Sequence, residues 1–254
     1  IKQNSTRVQR SQAPKIMVDF QRLAMSTQRS VIPWSYSSYG DYQTCPYRFY
    51  KVKITKEFSE PPSEHIIWGN TVHKSIEEYI RDGKPMADTT ARFKGVVDRY
   101  NALPGETYVE VELACDVNMK PTGFWDADAW CRGKGDIVKV NGNKGFAGDW
   151  KTGKVKPNSL QLDLMGVMVM ATFPDVDKVT GVFVWLQDPQ HPTVKVYNRQ
   201  DMDVIMDQFE QGVTDMKWSE EHNSWPKKPS GLCRQYCPVK DCQYYGKGTP
   251  RYGR

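Results

Sequence analysis

The sequence predicts an α/β domain with appended ends, and three observations carry that prediction. Apolar residues recur at helical spacing near 64–82 and 157–172. Short apolar runs bounded by turn residues lie between and after them. A chain of 254 residues with 39% hydrophobic and 12% aromatic content can fill a single large core.

Taken in order, residues 1–33 lack a steady pattern, carry six basic side chains against one acidic, and open on Ile1 rather than Met, so the sequence reads as trimmed. Helices are expected near 37–45, 64–82 and 88–102. In the second, Trp68, Val72, Ile76 and Tyr79 form one stripe, with Gly69, His73 and Glu77 at i, i+4, i+8 beside it. Gly69 removes a side chain where a neighbour could approach. His73 could present an imidazole to a metal or a phosphate, although a lone helical histidine is usually structural. Strands follow near 107–118, 124–131, 135–140 and 145–151, the last two joined through Asn141-Gly142-Asn143 as a hairpin. A helix near 157–172 shows Leu160, Leu164, Val167 and Met168 on its apolar face, and the methionines from Met165 to Met170 read as core filling. Strands near 179–187 and 193–198 and a helix from about 201 to 218 lead into a cysteine-rich end.

The expected organisation is therefore a basic amino-terminal extension (1–33), a core (34–225) and a basic cysteine-rich segment (226–254) packing back on it. Residues 226–254 carry seven basic side chains and one acidic, whereas 34–225 carry 22 and 28. Basic ends around an acidic centre suit a polyanion held beside carboxylates; solvated termini produce the same counts.

The hairpin carries the chemistry. If 146–151 is a strand, Asp149 and Lys151 share one face and Trp150 takes the other. With Gly142 and Asn143 as the turn, Asp136 lies directly across from Asp149; with Asn141 and Gly142, the pairing becomes diagonal. Two carboxylates on one face of a hairpin, with Cβ atoms about 5 Å apart, repel unless a cation lies between them. Such oxygen ligands suit Mg²⁺ or Mn²⁺. A solvated acidic hairpin is the alternative.

Together the motifs resemble a known family. Gly69-x3-His73-x3-Glu77, Gly133-Lys134-Gly135-Asp136, Asp149-Trp150-Lys151-Thr152-Gly153 and Gln161-Leu162 opening an apolar helix resemble, in order and spacing over about 34–245, the RecB-like branch of the PD-(D/E)xK nuclease superfamily. The segment from Trp34 to Phe49, with Cys45-Pro46 near its end, resembles the amino-terminal signature of that branch. The resemblance implies a restriction-endonuclease-like core, a central mixed sheet flanked by helices. It implies Asp136, Asp149, Lys151, His73 and Gln161 as catalytic residues, and His73, Asp136, Asp149 and the backbone carbonyl of Trp150 as ligands to Mg²⁺ or Mn²⁺. It further implies a metal-dependent DNA nuclease, an exonuclease acting on single-stranded or frayed ends. A non-catalytic nucleic-acid-binding or assembly subunit retaining the fold is the alternative, and a zinc-stapled interaction protein a third reading. Met165 stands where the family often has an aromatic. Glu110 and Glu112, two apart on the preceding strand, share a face, and one could approach the metal, ranked below the core residues. Trp34, Tyr36, Tyr39 and Tyr42 could stack on single-stranded DNA or pack beneath the cysteine loop.

Six cysteines are present. No segment resembles a secretory signal and no apolar run is long enough to span a bilayer, which argues against an extracellular disulfide framework and for an intracellular, cytoplasmic or nucleoid-associated protein. Cys233, Cys237 and Cys242 read as a thiolate ligand loop. The iron-sulfur members of the resembled branch, including AddB-type and CRISPR-adaptation nucleases, use one upstream cysteine and three near the carboxy terminus. The resemblance thus implies Cys45, Cys233, Cys237 and Cys242 as ligands of a 4Fe-4S cluster. The usual closing pattern Cys-x2-Cys-x5-Cys is here Cys-x3-Cys-x4-Cys, which leaves Zn²⁺ at a four-cysteine site as the rival and reduced thiols as the third possibility. Cys115 and Cys131 are expected to be buried, apolar-like residues.

Overall fold

In the computed structural model the structure describes residues 33–247; most of the amino-terminal extension and the basic residues Arg251 and Arg254 lie outside the described residues. Ser35 opens helix α1 (Tyr36–Thr44), its hydroxyl accepting from the Ser38 N–H. The chain then turns at Cys45, and Pro46 stands at the first position of α2 (Pro46–Phe49), where its missing N–H costs no helical bond. Helix α3 (Glu64–Asp82) begins on Ser63, whose side chain accepts from Ile66 N–H, and ends on Gly83 in the left-handed conformation (φ 66°). Helix α4 (Lys94–Asn101) is preceded by a 3-10 turn at Ala91–Phe93, so the helix expected over 88–102 is shorter than its apolar spacing suggests.

Five strands follow: β1 (Glu106–Cys115), β2 (Cys131–Asn141), β3 (Lys144–Lys151), β4 (Lys178–Trp185) and β5 (Thr193–Asn198). They lie in the order β1-β2-β3-β4-β5, antiparallel except for the parallel pair β3–β4. The parallel pair requires a crossover, supplied by α5 (Leu160–Thr172). Helix α6 (Met202–Glu221) follows β5. This is the mixed sheet flanked by helices expected of a restriction-endonuclease-like core.

The sheet separates two apolar layers. On one side α5 packs with α1 and α6 around Trp34, Leu113, Met168 and Phe209. On the other, α3 and α4 bring Val72, Ile76 and Val97 against Ile137, Trp150 and Val184. Helix α5 is buried on every side from Leu162 to Ala171, so the single apolar face read from its spacing understates its burial.

β1 and β2 exchange faces partway along. Tyr108 packs toward the α5 layer, and so do Val111 and Leu113, although 108 and 111 should lie on opposite faces. On β2, Val138 belongs to the α5 layer and Ile137 to the α3 layer, yet an added Cβ at Gly135 would meet Val111 and Met165 on the α5 side. Both inversions fall where Glu110 faces Asp136, the position missing from the ladder between Val109↔Ile137 and Val111↔Gly135. Glu110 takes φ 49° there, which a non-glycine residue adopts at a cost of roughly 1–2 kcal/mol.

Two expectations are corrected. Of the strand expected over 124–131, only Cys131 is in a strand, as the first residue of β2; the loop before it is held by local side-chain bonds. Asp116 accepts from the N–H groups of Asn118 and Lys120, and Asp126 from that of Gly123. Short acidic side chains there give the backbone partners that a ladder would otherwise supply. Trp34 and Tyr42 are buried, while Tyr36 and Tyr39 pack on the core beside them, so this cluster is structural and does not offer bases a platform. Among the described residues no helix is long and apolar enough to cross a membrane.

Candidate active site

The hairpin register follows from its turn. Asn141 faces Lys144 and Ile137 faces Gly148, leaving Gly142 and Asn143 as the turn. Gly142 supplies the positive φ of 57° that such a tight connection needs at its first position. One further step along this register brings Asp136 level with Asp149. The Trp150 ring enters the layer with Val72 and Ile76, which turns Asp149 and Lys151 toward α5.

There a closed triangle forms. Lys151 Nζ donates to Asp149 at 2.9 Å and to Gln161 Oε1 at 2.8 Å, while Gln161 Nε2 donates to Asp149 Oδ2 at 2.7 Å. The ammonium also lies 4.6 Å from the centre of the Phe183 ring. Gln161 reaches the site because it sits in the first turn of α5.

Asp136 belongs to a second group beside the first. Its Oδ2 accepts from the Trp150 N–H at 2.7 Å, and its Oδ1 lies 3.4 Å from His73 Nδ1. His73 Nε2 lies 2.7 Å from the Trp150 carbonyl oxygen. Ligand atoms of His73, Glu110 and Asp136 all fall within 4.8 Å of one another, the one such set of three or more His, Cys, Asp or Glu groups among the described residues. Asp149 stands outside that set.

The electrostatics record crowding of negative charge. Burial, then repulsion from Asp136, pushes Asp149 up to about 6 against the opposing pull of Lys151. Burial and Asp136 also raise Glu110. For His73, burial favours the neutral ring, but Asp136, Asp149 and the Trp150 carbonyl together raise it to about 9. A protonated imidazole accordingly donates to the Trp150 carbonyl and forms an ion pair with the Asp136 carboxylate. Two carboxylates, an imidazole and a nearby carbonyl fit a hard divalent cation, which would replace that imidazolium charge.

In the sequence, Glu110 and Glu112 stand together below the core residues, since alternation alone puts both on one face. The left-handed backbone separates them: Glu110 turns into the cluster, whereas Glu112 pairs with Lys134 at 3.2 Å on the surface. Gly69 is a smaller correction. An added Cβ there would reach only ordinary contact with Thr152 Oγ1 at 3.5 Å, so no close approach requires glycine.

Cys45, Cys233, Cys237 and Cys242 line one cavity, joined by Arg48 and Lys228. The Lys228 N–H points at Cys45 Sγ (3.5 Å) and the Ser230 N–H at Cys233 Sγ (3.4 Å). Burial raises the Cys237 thiol, and Cys233 and Cys45 add to the effect. No three of these sulfurs lie within 4.8 Å of one another. Cys115 and Cys131 are fully buried in the α5 layer.

Residues 33–106 match the family model of the PD-(D/E)XK nuclease superfamily. The matched span runs from before α1 to the start of β1 and contains His73. It bears out the superfamily resemblance read from the motifs and supports a hydrolytic nuclease. Among solved structures, the chain is similar to SSO0001 (14% identity, 89% of this chain and 93% of that one, TM-score 0.46). It is also similar to a candidate exonuclease from Eubacterium rectale (11% identity, 88% and 97%, TM-score 0.45). No curated protein matches the chain.

Proposed function

We propose that this PD-(D/E)XK-type chain is a Mg²⁺- or Mn²⁺-dependent deoxyribonuclease, an exonuclease acting on single-stranded or frayed ends. The observation that carries the reading is the meeting of two groups: the donor set of His73 with Glu110 and Asp136, which lie midway along β1 and β2, and the triangle of Asp149 and Lys151 at the end of β3 with Gln161 of α5. His73, Glu110 and Asp136 would hold the cation, with Asp149 and the Trp150 carbonyl beside them. When bound, it would lower the pKa of a water molecule and offset charge on the scissile phosphate. Lys151 presents its ammonium to the phosphoryl oxygens, where charge builds up in the transition state. Asp149 and Gln161 fix the ammonium's position from two sides, so little reorganisation is needed during the reaction. An intact set of Asp136, Asp149 and Lys151 favours catalysis over a subunit that keeps only the fold.

The four cysteines are proposed to hold a 4Fe-4S cluster. A four-thiolate zinc site brings its sulfurs to about 3.8 Å of one another, from Zn–S bonds of about 2.3 Å in a tetrahedron. The four thiols share one cavity with Arg48 and Lys228, and Zn²⁺ there is the rival that metal analysis separates from the cluster.

Digesting end-labelled linear and circular single-stranded DNA side by side, with Mg²⁺ or Mn²⁺, tests the activity. Loss of the linear substrate with the circle intact is the expected result. Cleavage of both assigns an endonuclease, and cleavage of neither with either metal leaves the non-catalytic reading.

A further inference from the structure

We propose that Phe124, Trp125, Arg132 and Lys134 form a track for the single strand running away from the active site, with Trp125 stacking on an unpaired base. The proposal rests on the nuclease reading for its direction and on separate residues for its substance. Trp125 is 76% exposed. A lone exposed apolar residue needs no explanation, but this one is not alone. The Phe124 ring stands edge-on to it at 5.1 Å, the Arg132 guanidinium lies 5.5 Å from Phe124 and 5.2 Å from Trp125, and Lys134 Nζ lies 5.9 Å from Phe124. Aromatic faces interleaved with cations supply both terms of single-strand binding, stacking and phosphate neutralisation.

Placement joins this group to the carboxylates. Cys131 and Gly135 face the α5 layer, so Arg132 and Lys134 share the other face of β2. Each two-residue step along a strand advances about 6.6 Å, so Arg132 lies about 13 Å from Asp136 with Lys134 midway. A strand whose scissile phosphate sits at Asp136 would meet Lys134, then Arg132, then the aromatic pair.

The loop is also held in place for such a role. Asp126 fixes Gly123, and Arg132 Nη2 donates to the Asp126 carbonyl at 3.4 Å. Arg132 Nε is buried without a hydrogen-bond partner. Lys134 is engaged by Glu112, but an ion pair this exposed contributes little, and a phosphate can replace the carboxylate. Because Trp125 can stack only on an open base face, the track selects single-stranded over duplex nucleic acid.

The test measures fluorescence anisotropy of a labelled single-stranded oligonucleotide of about 20 nucleotides, in EDTA so that binding is read without hydrolysis. Trp125→Ala should weaken binding about tenfold, Trp125→Phe should restore most of it, and a blunt duplex should bind both proteins alike. Lys134→Glu should weaken binding and lower its salt dependence by about one counterion or more. Matching melting curves for all variants show that the fold is retained, which the exposure of both residues favours. If Trp125→Ala binds within about twofold of the parent, or the parent does not bind the oligonucleotide, the track is overturned. Absence of cleavage with Mg²⁺ or Mn²⁺ would sink the nuclease reading while leaving a Trp125-dependent binding result in place, so the two failures are distinguishable.

Discussion

At the residue scale, the charge on Asp136 raises His73, Glu110 and Asp149, and Lys151 opposes it at Asp149. Asp149 and Lys151 are tied into a triangle with Gln161, which on the proposed nuclease reading serves reaction more than packing. Replacing either with alanine should therefore lower Mg²⁺- or Mn²⁺-dependent cleavage by about 10²–10³-fold or more, with folding retained. Parental rates in both variants would assign any activity to another site. Gln161→Ala should cost about 10–100-fold, because it removes a group that positions both partners. A second prediction concerns protons. Asp149 is raised from 3.8 to about 6 and His73 from 6.5 to about 9, so the folded protein binds both protons more tightly than the unfolded chain. Their contribution to stability is fully present below the unfolded values and is lost as pH rises, through about 6 for Asp149 and then through about 9 for His73. Urea midpoints in EDTA should accordingly fall between about pH 7 and pH 9 more steeply in the parent than in His73→Gln. Since a ligating imidazole must be neutral, Mn²⁺ binding near neutral pH should release a proton from His73. Calorimetry in buffers of different ionisation enthalpy reads that proton; equal apparent enthalpies would remove His73 from the ligand set.

At the element scale, what could be read from the sequence divides along turn length. The β2–β3 hairpin closes on Gly142 and Asn143, so counting outward from the turn places Asp136 against Asp149. The β1–β2 connection runs over 116–130 with its own turns, and no count across it gives the register that sets Glu110 opposite Asp136. Alternation also fails at Glu110, because nothing in Tyr-Val-Glu-Val-Glu announces a left-handed residue. The stripe Trp68, Val72, Ile76 and Tyr79 gave α3 and His73 their places because one face of that helix is solvent-exposed. The interior of α5 carries no such contrast, since it is apolar all round. Half-buried Phe124 and exposed Trp125 favour a strand in the sequence because aromatic residues do so, while the local bonds of Asp116 and Asp126 leave no periodic signal. The strained strand yields its own prediction. Comparing Glu110→Gly with Glu110→Ala isolates the backbone term, since both remove the carboxylate. The glycine variant should be the more stable by roughly 1 kcal/mol, and both should cleave more slowly than the parent. Thermal melts and end-label assays on the same preparations check this; an alanine variant as stable as the glycine one would mean that Glu110 does not hold its left-handed conformation.

At the scale of the whole molecule, the segment after α6 returns to the start of the core. The Tyr47 N–H donates to the Pro226 carbonyl, Lys228 Nζ donates to the Gln43 carbonyl at 2.7 Å, and Lys51 pairs with Asp241 at 3.4 Å. These bonds are individually weak and partly exposed, while Val239 is the fully buried apolar anchor of the returning segment. A metal centre drawing Cys45 to Cys233, Cys237 and Cys242 would add a cross-link closing most of the chain, and the entropy removed from the unfolded state grows with the logarithm of that span. By comparison with a covalent bridge over a long loop, losing it costs on the order of 4 kcal/mol, a large share of the stability of a domain this size. Cys45 stands at the junction of α1 and α2, so a metal bond from its thiolate would tie both helices to the returning segment. Cys45→Ser should therefore lower the melting temperature of the whole domain and bleach the protein, whereas Cys115→Ser, a change inside the α5 layer, should destabilise without bleaching. Anaerobically prepared protein should be brown, absorb broadly near about 400 nm, and contain iron and sulfide in about equal amounts. Stoichiometric zinc without iron would keep the cross-link and replace the cluster. Colourless, metal-free protein with the melting temperature of Cys45→Ser would remove both, leaving Val239 and the polar contacts around Lys228 as what holds the returning segment against α1.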